Sequence, residues 1–207
     1  MKTAALAFAI ALLPCLSSAA TVTFTDRATF EGAAGTVTTQ DFESQTVGTN
    51  LQYVTTDLGD FSLSVDSVFG GSFNVISDSD FFNAPNSSIF ASIGLGDGET
   101  MTLLFDSAIT SFGADFGGLN DDVQRSQFEV LADILFAPIL VGAIPSFFGF
   151  TSDTAFTSLT IRGLSPSDGF GIDNITYSVA AIPLPATLPL LAGGLGLLAL
   201  WRRRRTA

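Results

Sequence analysis

The segment Phe61-Ser-Leu-Ser-Val-Asp-Ser-Val-Phe69 alternates apolar and polar residues and sets Phe61, Leu63 and Val65 on one face. Side chains along a strand point to opposite faces in turn, so a period of two marks a strand with one face against a core. The same alternation returns in Thr100-Met-Thr-Leu-Leu-Phe105, in Phe156-Thr-Ser-Leu-Thr-Ile161 and in Phe170-Gly-Ile-Asp-Asn-Ile-Thr-Tyr177. Each run is bounded by Gly, Asn, Asp or Ser. Many such runs joined by short turns predict an all-β domain, a single β-sandwich or jelly roll, rather than a βαβ fold.

Two stretches depart from this pattern. Asp26 to Ala34 reads as a helix, with Asp26 as its N-cap, Glu31 inside and Gly35 as a left-handed terminator. The long apolar run from Val130 to Phe150 is punctuated by Asp133, Pro138, Gly142, Pro145 and Gly149. It reads as a buried strand pair turning near Pro138, not as a membrane span.

The two ends of the chain have a different character. Met1-Lys2, the apolar run Ala4 to Leu13, Pro14 and the small residues Ser17-Ser-Ala-Ala20 form a secretory leader, residues 1–20, with cleavage expected after Ala20. The alternative is a lipoprotein leader using Cys15, for which Pro14 is an ill-suited neighbour. Removal of the leader takes the only cysteine with it and leaves no disulfide. At the other end, no charged residue occurs from Leu184 to Trp201, and Arg202, Arg203, Arg204 and Arg205 follow at once. An apolar stretch near the lower limit of the ~17–25 residues that cross a bilayer, closed by arginines that resist translocation, predicts a transmembrane helix over 186–201 with the basic cluster 202–205 on the cytoplasmic side.

The ectodomain expected between these ends, residues 21–180, is of single-domain size. Once Lys2 and the tail arginines are set aside, Arg27, Arg125 and Arg162 stand against all 20 acidic residues, a net charge near −17. Such a surface repels phosphates and anionic lipids and favours cations, which excludes nucleic acid as a partner. Abundant Phe, Val, Ile and Leu separate this acidity from that of a disordered chain.

The tail resembles a known signal. Ile182-Pro183-Leu184-Pro185-Ala186, an apolar Gly/Leu segment and a short Arg cluster, within residues 181–207, resemble the VPLPA variety of the PEP-CTERM sorting signal of exported bacterial proteins. The resemblance implies an exosortase-type membrane peptidase as partner, cleavage near Pro183, Leu184, Pro185 and Ala186, and release to the cell surface or extracellular matrix. Pro183 and Pro185 cannot continue a helix, so an extended peptide is expected there, the form a protease takes. A plain anchor without processing is the alternative.

A second resemblance covers much of the domain. Thr25-Asp-Arg-Ala-Thr-Phe30, Gln40-Asp-Phe-Glu43, Phe112-Gly-Ala-Asp-Phe-Gly-Gly118, Phe147-Phe-Gly-Phe-Thr-Ser-Asp153 and Asp168-Gly-Phe-Gly-Ile-Asp-Asn-Ile-Thr-Tyr177 resemble the β-jelly-roll ectodomain common among PEP-CTERM proteins, itself similar to carbohydrate-binding jelly rolls. The resemblance implies a structural Ca²⁺ where the first and last strands meet, held by a Glu and an Asp that match Glu43 and Asp173. The alternative is that both are ordinary exposed acids at strand ends.

The chain has no histidine, which removes the usual general base, the Ser-His-Asp triad and the common zinc ligands. No phosphate-binding Gly-Lys-Ser/Thr loop occurs. The enzyme class left is a carboxylate-pair glycosidase, with Asp115, Asp121 and Asp122 as candidates. Asp78, Asp80 and the Asp121-Asp122 pair offer oxygen ligands of the kind Ca²⁺ takes, but none follows an EF-hand spacing, and the favoured reading is of hydrophilic turns. Phe, with 20 copies, far exceeds Tyr with 2 and Trp with 1; it belongs to the core. Tyr53 is the exposed aromatic expected to contact a ligand, and Tyr177 is expected to be structural. The expected function is therefore non-enzymatic: an exported surface or matrix protein that binds polysaccharide, with a glycosidase or a purely structural matrix component as alternatives.

Overall fold

The computed structural model describes residues 21–69, 73–78, 85, 88–118, 128–132, 146–163 and 168–181. The expected leader, the expected tail from residue 182 onward, and Asp80, Asp121 and Asp122 lie outside the described residues. The elements are β1 (Thr21–Phe24), α1 (Arg27–Ala34), β2 (Thr38–Gln40), β3 (Thr56–Asp57), β4 (Phe61–Asp66), β5 (Val75–Ser77), β6 (Phe90–Leu95), β7 (Thr100–Gly117), β8 (Phe128–Ala132), β9 (Ser146–Gly163) and β10 (Asp168–Val179). All ten strands belong to one sheet whose ladders are antiparallel. Among the described residues no helix is long and apolar enough to cross a membrane.

The 18-residue strand β7 is the spine. Its first half lies between β4 and the end of β9, with Leu63 opposite Leu103 and Leu103 opposite Leu159. Its second half lies between β10 and the beginning of β9, where Phe112 faces both Tyr177 and Phe150. The break comes around Ile109, which pairs with Phe156, while Leu104 pairs with Ser158 and Ser111 with Thr151. Extra residues fall first on β7 and then on β9, so they cancel, and both strands turn the same corner without losing register beyond it. Bulges bend and twist a strand in this way. On β9 the corner is held by Ser152, whose Oγ donates to the Thr154 carbonyl at 2.8 Å and accepts from the Thr154 amide at 3.1 Å.

The alternation read from the sequence is realised. Phe61, Leu63 and Val65 are buried, as are Met101, Leu103 and Phe105 directly across from them. These residues join Phe112, Phe150, Phe156, Phe170, Ile172 and Ile175 in one apolar core. Phe150 and Phe156 stack across the corner at 5.5 Å between ring centroids, and Tyr177 lies 5.1 Å from Phe105. Phenylalanine thus fills the core as expected.

Helix α1 forms as the sequence predicts. Asp26 accepts from the Thr29 amide at 2.8 Å and the Thr29 hydroxyl at 2.6 Å, and these bonds hold its carboxyl below the usual range. Gly35 ends the helix at φ 80°. The helix covers the sheet face opposite the main core. There Phe30 packs fully buried beside Phe24 and Phe147, at 5.9 and 5.3 Å. The floor beneath is the cross-strand pair Gly113 and Gly149. A Cβ at Gly113 would meet the Phe147 ring at 2.6 Å and the Phe30 ring at 2.9 Å, so only glycine lets the rings lie this close to the backbone.

The run from Val130 to Phe150 corrects the expectation of a strand pair turning near Pro138. Its ends do belong to β8 and β9, which pair antiparallel, but Ala132 stands opposite Leu159 and Phe128 opposite Gly163. β8 therefore borders the second half of β9, beyond the corner, while residues 146–150 border β1 and β7. The position of Pro138 lies outside the described residues.

Candidate functional site

The last strand carries the site. Asp173 pairs with Asp115 and Thr176 with Gly113, so β10 has one residue more than β7 in this interval. Asn174 absorbs it with φ 49°, a left-handed conformation that Asn adopts more readily than most residues. The bulge breaks the alternation: Ile172 and Ile175, three apart, both reach the core. Alternation predicts Asp173 on the face opposite Asn174, but at the bulge the Asn174 side-chain amide comes within 3.5 Å of the Asp173 carboxylate.

Asp173 is nonetheless only 1% exposed, which corrects the reading of it as an ordinary exposed strand-end acid. Its carboxylate accepts from the Ser88 hydroxyl at 2.9 Å and from the Asn174 amide at 2.6 Å. Burial pushes its pKa up, the nearby charges of Asp115 and Glu43 push the same way, and the two hydrogen bonds offset part of this. Asp115 and Glu43 are thus both within electrostatic reach of Asp173.

Glu43 arrives from another direction. β2 pairs with β10, Gln40 opposite Ile175. Just beyond Gln40 the chain turns at Phe42, which has φ 58° and sends its ring into the core. Glu43 is left exposed on the rim, where its Oε1 accepts from the Ile89 amide at 3.0 Å. It stands in a turn after the second strand. Of the two N-terminal strands it is β2 that pairs with β10, whereas β1 pairs with β9, a correction to the first-against-last closure implied by the resemblance.

Arg27 of α1 completes the group. It makes a 2.9 Å ion pair with Asp115, donates to the Thr176 hydroxyl at 2.8 Å and to the Asn174 carbonyl at 3.2 Å, and lies 4.8 Å above the Phe147 ring. The Asn174 side-chain amide donates to Asp115 at 2.9 Å. Asp115, a candidate acid for glycoside hydrolysis by sequence, is thus engaged by Arg27 and Asn174 in tying the helix to the bulge. Sequence reasoning passed over Arg27, Asn174 and Ser88 as site residues. Arg27 had one legible signal, its being one of three basic residues in an acidic domain.

Among the described residues no three Asp, Glu, His or Cys side chains are grouped to hold a metal by themselves. The calcium that the resemblance implies would take Glu43 and Asp173 as its carboxylates and would need the rest of its six to eight oxygens from hydroxyl, main-chain and water groups.

Tyr53 is not brought to this site. Its amide donates to the Val65 carbonyl at 2.9 Å, beside β4. The side chain is 61% exposed, next in sequence to the exposed Val54, and φ is 57°, a conformation that costs a bulky residue energy. Tyr177 is buried, with its hydroxyl donating to Asp60 at 2.8 Å. Asp78 is exposed.

Compared with known proteins, the chain matches no family model and no curated protein sequence.

Proposed function

We propose that this is an exported, non-enzymatic protein of the cell surface or extracellular matrix: one jelly-roll sandwich, delivered by the leader 1–20 and sorted by the tail 181–207. One observation carries the reading. β10 ends at Val179, and Ala180 and Ala181 leave the strand just before Ile182-Pro183-Leu184-Pro185-Ala186. Among the described residues the sheet is complete before the tail begins, so cleavage in the tail takes none of its described strands. The shared corner of β7 and β9, which lets single strands serve two parts of the sheet, supports the jelly-roll form.

In the native host the mature protein is expected to lack Leu188 to Ala207. Mass spectrometry of surface material tests this, and intact Arg202–Arg205 peptides on most molecules would overturn it. The ligand class proposed is polysaccharide, met by Tyr53, whose strained backbone holds an amphipathic ring out to solvent. On a glycan array with the tail-free protein, Tyr53→Ala is expected to weaken binding about tenfold, the equivalent of ~1.4 kcal/mol. Equal binding by the variant would remove Tyr53 from the reading, and turnover of any glycan would favour the glycosidase alternative.

A further inference from the structure

At the exit of β10 there is an open recess of about 130 Å³ lined by Asp60, Phe105, Asp106, Ser107, Tyr177 and Val179. It has room for several waters or for the head of a basic side chain. Two carboxylates share it with two aromatic rings, and no lining residue is a cation. Asp60 and Asp106 are held as a pair because the Asp106 amide donates to the Asp60 carbonyl at 3.0 Å.

Its place in the fold says what meets it. Val179 pairs with Ile109, and the Ala180 amide donates to the Ala108 carbonyl at 2.8 Å, so the chain is pinned to the sheet up to the edge of the recess. Ala186 lies only five residue steps beyond Ala181. Fully extended, they span at most about 18 Å. A peptidase of ordinary size has a radius of about that length. An enzyme acting on Pro183 to Ala186 therefore cannot avoid this end of the domain.

We infer that the recess is a docking point for a lysine or arginine side chain of the peptidase that processes the tail, an inference that rests on the processing reading above. The carboxylates supply the charge complement, and the exposed Val179 supplies apolar surface for the aliphatic stem.

The test is pulse-chase loss of the tail from the full precursor in a host containing the peptidase. Asp106→Lys is expected to slow processing tenfold or more, since like charges oppose docking, and Asp106→Asn to slow it less. Asp66→Lys, at the far end of β4, is expected to process at the wild-type rate. Asp106→Asn, nearly the same shape, keeps the test decisive if Asp106→Lys does not fold. A flexible linker of about twelve residues after Ala181 is expected to abolish the effect of either Asp106 substitution, because it frees the enzyme from the domain. Wild-type rates in both Asp106 variants, or an effect that persists with the linker, would overturn the docking point and leave the processing reading standing. A wild-type precursor that never loses its tail would overturn both.

Discussion

Calcium is expected to raise the unfolding midpoint of the tail-free protein, and a chelator to lower it again. If the ion binds only the folded state, the gain at a hundredfold excess over Kd is ~2.7 kcal/mol, a large share of the ~5–15 kcal/mol that holds a domain together. The physical reason is at Asp173, a carboxylate buried beside Glu43 and near the Arg27-paired Asp115. Without a cation its charge is penalised in the fold, and its pKa lies above the ordinary value of 3.8. Protonation is therefore favoured in the folded state. In chelator, the contribution of Asp173 to stability grows as pH falls through its raised folded pKa and levels off below the ordinary carboxylate value. With calcium bound the sign reverses, because the ion needs the ionised form.

The difference between wild type and Asp173→Asn isolates this group. The variant is expected to lose the calcium response and, in chelator, to lose the pH-dependent part as well. Melting curves from pH 4 to 8 with calcium and with chelator decide it. An unchanged midpoint in wild type, or an equal shift in the variant, would reject Asp173 as a ligand.

The second large effect is expected at the helix. Phe30→Ala should cost about 4 kcal/mol, as for other fully buried aromatic side chains. The ring is the part of α1 that fills the space over Gly113 and Gly149. Gly113→Ala should cost about 2 kcal/mol by overpacking, and less in the Phe30→Ala background, since one of the two rings it strikes has gone. Urea unfolding of the single and double variants measures both. A loss below about 1 kcal/mol for Phe30→Ala would mean that α1 is not part of the cooperative fold.

A third acid illustrates how an interaction escapes sequence reading. Glu99 accepts from the Ser67 hydroxyl and from the amides of Val68 and Gly96, joining the end of β4 to the turn between β6 and β7. Burial pushes its pKa up, but the three bonds outweigh it and the net shift is downward. Nothing local at Glu99 indicates that its partners include residues more than thirty positions earlier.

The sequence by itself determined the all-β character, the core faces of β4 and the start of β7, and helix α1 with both its caps. These follow from interactions between residues a few positions apart: side-chain alternation along a strand, and a carboxylate reaching the amide three residues on. It also nominated Glu43 and Asp173, which the fold brings within electrostatic reach of each other. The burial of Asp173, the ion pair that engages Asp115, and the choice of β2 rather than β1 as neighbour of β10 were decided only by the tertiary structure. So was the corner in β7 and β9. Each depends on register between strands far apart in sequence, and one extra residue at a bulge moves every later side chain to the other face, a shift that no local pattern records.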